Sequence, residues 1–142
     1  MTRDEALLAI LAASQGRYYT PAQIQKAAFL VSENLPNLVS RGTKYRFEPY
    51  DYGPFDRTVY DDCETMQAQG SVEITQGPRW RYYAATDSGV VAGQAILASM
   101  SEKDRNYILE VSKWVRSLSF EQLVKSIYEK YPKMKENSIF RG

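Results

Sequence analysis

Histidine is absent from this sequence, and cysteine occurs once, at Cys63. Because histidine is the usual general base near neutral pH and a common metal ligand, its absence excludes every mechanism that needs a histidine base or ligand. One cysteine cannot form an intrachain disulfide, which fits a reducing compartment. Cys63 lies on an apolar helical face with no histidine to activate it, so we expect a core side chain and not a nucleophile.

The sequence also has almost no net charge and no long apolar run. Lysine and arginine total 18 against 17 for aspartate and glutamate, so any basic patch that attracts nucleic acid must be local. The longest apolar run, Ala6 to Ala13, is too short to cross a membrane. Glycine-rich phosphate loops and calcium loops are absent, so we predict no cofactor and no metal site. We expect a cytosolic protein without catalytic activity.

The first part of the chain contains clear helix signals. Apolar residues at helical spacing predict a helix over residues 4–14. Thr20-Pro21-Ala22-Gln23 combines a threonine N-cap, a proline at the first helical position and the glutamine of a capping box. A second helix therefore begins there and ends before Pro36. Its apolar residues at helical spacing predict one buried stripe, formed by Ile24, Ala28, Val31 and Leu35. Between the two helices, Tyr18-Tyr19 is predicted to be a short extended segment.

The middle of the chain predicts a third helix followed by a hairpin. Pro54 is placed to open a helix over residues 54–69. Its predicted buried face contains Phe55, Val59, Cys63 and Met66. Alternating apolar residues on both sides of Gln76-Gly77-Pro78 predict a β-hairpin over residues 71–85. This order of elements is typical of a winged-helix unit, in which the hairpin is the wing.

The last third of the chain is predicted to be helical. Thr86, Ser101 and Ser119 are each placed to cap a helix. We therefore predict a single domain that is mainly α with a small β-hairpin, in the α+β class. It comprises a winged-helix-like core over residues 1–99, with an inserted aromatic loop, and a C-terminal extension of two helices within residues 100–142. No pattern assigns a structure to residues 133–142.

The inserted loop, residues 45–55, has an unusual composition. It contains five aromatic residues, two prolines and one glycine. Tyr50, Tyr52, Gly53 and Pro54 are suited to form a rigid surface for a partner, because tyrosine offers a large contact area with few rotatable bonds. Alternatively, the aromatic side chains anchor the loop to the core. The sequence leaves both interpretations open.

The predicted third helix is acidic. Its carboxylates, which outnumber its one arginine by three, are Asp56, Asp61, Asp62 and Glu64. A recognition helix with this charge repels DNA phosphates, so DNA reading by the helix is disfavoured. We expect all four carboxylates to face solvent. An acidic helix suits a basic protein partner, or it is a solvated face.

The best local basic and aromatic cluster is Arg79-Trp80-Arg81, at the tip of the predicted wing. This composition suits contacts with phosphates and stacked bases, so it is the candidate nucleic-acid site. The alternative is a solvated hairpin in which Trp80 packs inward.

Four segments of the chain are similar to the Panacea-domain family of bacterial and phage proteins, and within it to the YwgA-type proteins. The first is the helix of residues 20–30, with its Gln25-Lys26 pair, although Ala27-Ala28 departs from the bulkier family pattern. The second is the tyrosine-glycine-proline loop of residues 47–55. The other two are Val59-Tyr60-Asp61-Asp62 and the Leu118–Val124 segment with Tyr128 and Tyr131-Pro132.

The resemblance implies a winged-helix-derived interaction domain without catalysis or cofactor. Some members of the family are antitoxins that neutralise toxins by direct binding. It thus favours a protein-interaction module, of antitoxin, prophage or defence type, whose partner is a protein such as a toxin encoded nearby. Partner-binding candidates are Tyr50, Tyr52, Gly53, Pro54, Asp56, Asp61 and Asp62. The second hypothesis is a winged-helix DNA-binding regulator that uses Arg79, Trp80 and Arg81. Neither the partner nor the oligomeric state follows from the sequence.

Overall fold

Helix α1 (Arg3–Ala13) is enclosed on every side in the computed structural model, which describes residues 1–140. A capping box of Thr2 and Glu5 begins the helix, and every residue from Ala6 to Ala12 is buried. Such an all-round apolar sequence is what a central helix requires. The predicted helix over residues 4–14 is confirmed to within one residue at each end.

Helix α2 (Pro21–Asn34) begins as predicted. The Thr20 hydroxyl accepts a hydrogen bond from the Gln23 amide, and the Gln23 side chain accepts one from the Thr20 amide. The pattern predicted one buried stripe, but every residue from Ile24 to Val31 is buried. The stripe was too narrow because helices and strands pack on several sides of α2 at once.

The predicted start of the third helix at Pro54 is wrong. Residues Glu48–Tyr50 (β1) and Gly53–Phe55 (β2) form an antiparallel hairpin, with Glu48 opposite Phe55. Helix α3 spans Thr58–Ala68, and the Asp56 carboxylate accepts a hydrogen bond from the Thr58 amide at 2.9 Å. Proline is tolerated in β2 because the strand lies at the edge of a two-stranded sheet.

The buried face predicted for this helix is only partly correct. Val59, Cys63 and Met66 are buried as predicted, while Phe55 lies in β2 and is half-buried. The second hairpin forms as predicted, from Val72–Gln76 (β3) and Arg81–Ala85 (β4), with Ile74 opposite Tyr83. Tyr19 forms a single antiparallel bridge to Tyr83, which confirms the extended segment between α1 and α2.

The remaining helices are α4 (Asp87–Ser99), α5 (Glu102–Ser117) and α6 (Phe120–Lys130), followed by a 3₁₀ turn over Pro132–Lys135. Thr86, Ser101 and Ser119 cap them as predicted. Helix α5 packs on α1 and α2, and α6 packs on α2, so the C-terminal helices share one hydrophobic core with the first hundred residues.

The coarse fold prediction is confirmed: the described residues form an α+β protein that is mainly helical with little strand. The β1–β2 hairpin is an addition that the pattern did not predict. Across residues 1–140, no helix combines the length and apolar character needed to cross a bilayer.

Candidate binding site at the aromatic hairpin

The β1–β2 hairpin presents two tyrosines to solvent. Tyr50 is 53% exposed and Tyr52 is 42% exposed. Each ring nevertheless has an aromatic support, because Tyr50 stacks on Phe55 at 4.9 Å between centroids and Tyr52 meets Phe120 edge-on at 5.0 Å. The two rings therefore offer contact area in a fixed orientation.

Gln25 of α2 clamps the far end of β2. Its side-chain amide donates to the Asp56 carbonyl at 2.9 Å, and its side-chain oxygen accepts from the Asp56 amide at 3.1 Å. Both polar groups of this buried glutamine are thus paired with one backbone residue. At the other end of β2, Gly53 has a φ of +115°, a conformation that side-chain-bearing residues rarely adopt. The tight turn of the hairpin therefore requires glycine.

The end of the described chain also holds the hairpin through hydrogen bonds. The Ile139 amide donates to the Asp51 carbonyl at 2.9 Å, and the Asn137 side chain donates to the Pro49 carbonyl at 3.2 Å. The Ser138 hydroxyl also donates to the Asp51 carbonyl, at 3.3 Å. Residues 137–139 are therefore part of the site, although no sequence pattern assigned them a structure. Arg141 and Gly142 lie outside the described residues.

The aromatic side chains of the loop have two different environments. Phe47 packs edge-on against Phe29 of α2 at 5.5 Å, and the Tyr45 hydroxyl donates to Asp62 at 2.7 Å. Burial raises the pKa of Tyr45. These two side chains anchor the loop, whereas Tyr50 and Tyr52 remain exposed.

A cavity of about 600 Å³ lies between the hairpin, the first turns of α2, the start of α6 and Trp80. We call it the loop cavity. Its walls are mostly aromatic and aliphatic, and Tyr50 and Tyr52 are among the residues that line it. Gly53 and Pro54, two predicted partner-binding residues, also line the cavity but are buried.

Lys26 of α2 lines the loop cavity and is only 3% exposed. Its Cε and Nζ lie 3.6 and 3.8 Å from the point where a Gly53 Cβ would be. Burial lowers the pKa of Lys26 from 10.5 to about 8. Within residues 1–140, no carboxylate lies within salt-bridge distance of the ammonium, and no neighbouring charge or hydrogen bond offsets the burial.

Trp80 is half-buried and also lines the loop cavity. Its indole Nε1 is buried and has no hydrogen-bond partner within the described chain. The neighbouring Arg81 is bound internally: it pairs with Glu64 at 3.1 Å and donates to the Tyr83 hydroxyl at 2.9 Å. Only Arg79 is exposed. The three residues of the candidate nucleic-acid site thus have three different environments and do not form one exposed surface.

The expected exposure of the acidic residues is wrong for Asp62. Its carboxylate is 14% exposed and accepts hydrogen bonds from the Arg3 guanidinium at 2.8 Å and from Tyr45. Asp56 is also half-buried, and its two oxygens accept from the amides of Arg46 and Thr58. Both carboxylates hold the loop against the helices, which a count of helical charges could not reveal.

The other two carboxylates of this region, Asp61 and Glu64, are exposed as predicted. Asp61 lies 4.0 Å from Arg57, and Glu64 pairs with Arg81. Arginines therefore partner three of the four carboxylates once the Arg3–Asp62 pair is included. These arginines partly neutralise the negative charge that the sequence of this region carries.

Cys63 is buried as predicted, and burial raises the pKa of its thiol to about 12, so the thiol stays protonated near neutral pH. No group of three or more metal-ligating side chains occurs in the part of the chain that the structure describes.

The prediction missed the buried polar pair Gln25 and Lys26 as site residues. Two consecutive polar residues inside the otherwise apolar stretch from Ile24 to Val31 were the available signal. Comparison with protein-family models, curated proteins and solved structures found no match for this chain.

Proposed function

We propose that this chain is a protein-interaction module that binds its partner through the β1–β2 hairpin. The observation that carries the proposal is the exposure of Tyr50 and Tyr52 on a hairpin that is fixed from both sides. Rigid aromatic side chains are typical hot spots of protein interfaces, since little conformational entropy is lost when they bind. Of the predicted partner-binding residues, these two and Asp61 are available at the surface.

We further propose that residues 1–99 are a winged-helix core and that the chain is a cytosolic antitoxin or a prophage or defence protein. The order α1, Tyr19 bridge, α2, α3, β3 and β4 supports the first part, because the bridge joins the segment before α2 to the last strand of the hairpin. The resemblance to the Panacea-domain family supports the second.

The alternative, a DNA-binding regulator, has less support. Arg81 is engaged by Glu64, and Trp80 faces the loop cavity, so Arg79 alone remains for phosphate contacts. Exposed Asp61 and Glu64 on α3 would approach the phosphates of a major groove unfavourably.

The proposal is tested with the products of neighbouring genes, produced together with the protein and its variants. Tyr50→Ala and Tyr52→Ala should each weaken capture of the partner, or neutralisation of a toxic one, by about 2 kcal/mol. Their melting temperatures should change little, because both side chains are substantially exposed. Tyr18→Ala is the matched control, since Tyr18 is 51% exposed and does not line the loop cavity.

Equal loss of binding in Tyr18→Ala, or loss of binding that follows unfolding in the hairpin variants, would contradict the proposal. Tight DNA binding that is abolished by Arg79→Ala and unaffected by both hairpin variants would favour the regulator instead.

A further inference from the structure

Two residues that line the loop cavity carry a hydrogen-bond donor with no acceptor within the described residues. One is the Lys26 ammonium, on a side chain that is 3% exposed, and the other is the buried Nε1 of Trp80. Buried polar groups are nearly always paired, and a buried charge without a partner is especially costly. The two side chains come from distant parts of the sequence and line the same cavity. This convergence indicates a ligand that accepts hydrogen bonds and carries negative charge.

We propose that the loop cavity binds a small molecule in which a carboxylate is attached to an aromatic or aliphatic body. The carboxylate pairs with the Lys26 ammonium and accepts a hydrogen bond from the Trp80 indole. The apolar body packs against the aromatic walls of the cavity.

The number of hydrogen-bond donors favours a carboxylate over a phosphate as the anionic group of the ligand. One ammonium and one neutral N–H match a single negative charge shared by two oxygens, whereas phosphate sites usually add arginines or several backbone amides. The first turn of α2, with Thr20 and Pro21, also lines the cavity. The positive end of that helix favours an anion of either kind.

The apolar walls of the cavity favour an aromatic or aliphatic body attached to the carboxylate. Tyr52, Phe55, Tyr60, Phe120 and Leu123 contribute aromatic and aliphatic surface. A volume of about 600 Å³ lies in the usual range for small-molecule sites, which are mostly apolar with a few placed polar groups. A small polar anion such as acetate would leave these walls without contact.

The ionisable neighbours are compatible with an anionic ligand. Among residues 1–140, Asp51 is the one acidic residue that lines the cavity, and it forms no ion pair with Lys26. Burial raises the pKa of Tyr60, so that hydroxyl stays neutral. With a pKa of about 8, Lys26 is mostly protonated at neutral pH and available to a carboxylate. The site uses the interior of the hairpin region and does not require a protein partner.

The test is calorimetric titration of the full chain with benzoate near neutral pH, and with benzamide, its neutral analogue. We expect saturable binding of benzoate, and binding of benzamide that is weaker by about tenfold or more, because the ion pair is lost. Acetate should bind more weakly than benzoate because it leaves the apolar walls without contact. Inorganic phosphate should bind more weakly because the site, within the described residues, offers only one ammonium and one neutral N–H.

Three variants locate the site. Lys26→Met keeps an unbranched side chain of similar length and should weaken benzoate binding by about tenfold or more, while Trp80→Phe should weaken it by about fivefold. The matched control is Lys125→Met, on an exposed position of α6 away from the cavity, and it should bind benzoate like the unmodified protein. Circular dichroism of each variant shows whether the fold is kept.

Absence of saturable benzoate binding would overturn the inference, as would equal affinities for benzoate and benzamide. So would unchanged affinity in a folded Lys26→Met variant, or stronger binding of phosphate than of benzoate. A failure here leaves the protein-interaction proposal standing, because that proposal is measured by capture of a partner through the exposed tyrosines.

Discussion

Replacing Lys26 by methionine should stabilise the protein in the absence of any ligand. The lysine is buried, and its pKa falls from 10.5 to about 8 because burial disfavours the charged form. A pKa lowered this far means that the charge costs the folded state about 3 kcal/mol relative to the unfolded chain. Methionine keeps an unbranched apolar side chain of similar length, so the variant should gain about 2 kcal/mol in the free energy of unfolding near pH 7.

The gain should depend on pH in a defined direction. The cost of the charge is fully present well below the folded-state pKa of about 8, where Lys26 is protonated in both states. As the pH rises above about 8, the folded protein releases the proton first, and the cost disappears as the pH approaches the ordinary value of 10.5. The difference between variant and unmodified protein should therefore shrink by about 2 kcal/mol between about pH 7 and about pH 9.5.

Urea denaturation curves at both pH values measure this difference. Other titrating groups, including the buried tyrosines and Cys63, are present in both proteins and largely cancel. Lys125→Met controls for removal of a lysine from the surface, and its stability should change by less than about 0.5 kcal/mol. A destabilised Lys26→Met variant, or a gain that is equal at both pH values, would show that the buried ammonium is not the uncompensated charge described above.

Two further predictions concern packing and the Asp62 cluster. Gly93→Ala should destabilise the protein by about 1–3 kcal/mol despite its better helix propensity, because the new Cβ would lie 2.2 Å from the Ala12 Cβ; a stabilised variant in thermal melts would refute this close packing of α1 and α4. Tyr45→Phe removes the hydroxyl that donates to Asp62 and should cost about 2 kcal/mol in urea denaturation, whereas Tyr18→Phe, at an exposed position, should cost almost nothing; equal losses in both would contradict the bond.

The capping residues show which parts of the fold could be predicted. Thr20, Thr86, Ser101 and Ser119 each begin the predicted helix, because a side-chain cap acts on amides within three residues of itself. The hairpin around Gly77 could be predicted because turn residues, like caps, act over a short stretch of sequence. Helix α3 was extended too far because Pro54 suits both the first turn of a helix and an edge strand. In the folded protein β2 pairs with β1, and this pairing places Pro54 in a strand.

The glycines of α4 show the difference between what helix propensity predicts and what tertiary packing requires. Gly89 and Gly93 are unfavourable for a helix by propensity, since glycine is a poor helix former. In the structure, a Cβ at Gly89 would lie 1.9 Å from the Ser71 carbonyl, and the one at Gly93 would meet α1. Both glycines permit close packing between segments that are distant in sequence. Helix propensity contains no information about that packing.

The sequence by itself determined the helices other than the start of α3, the caps at Thr20, Thr86, Ser101 and Ser119, the second hairpin, the single buried cysteine and the absence of histidine chemistry, because these depend on residue types and short spacings. The tertiary structure alone decided which charged groups are free. It paired Asp62 with Arg3 and Glu64 with Arg81, and within residues 1–140 it left Lys26 without a salt-bridge partner. A charge is compensated or exposed according to its neighbours in space, and in these two pairs the partners lie 59 and 17 residues apart along the chain.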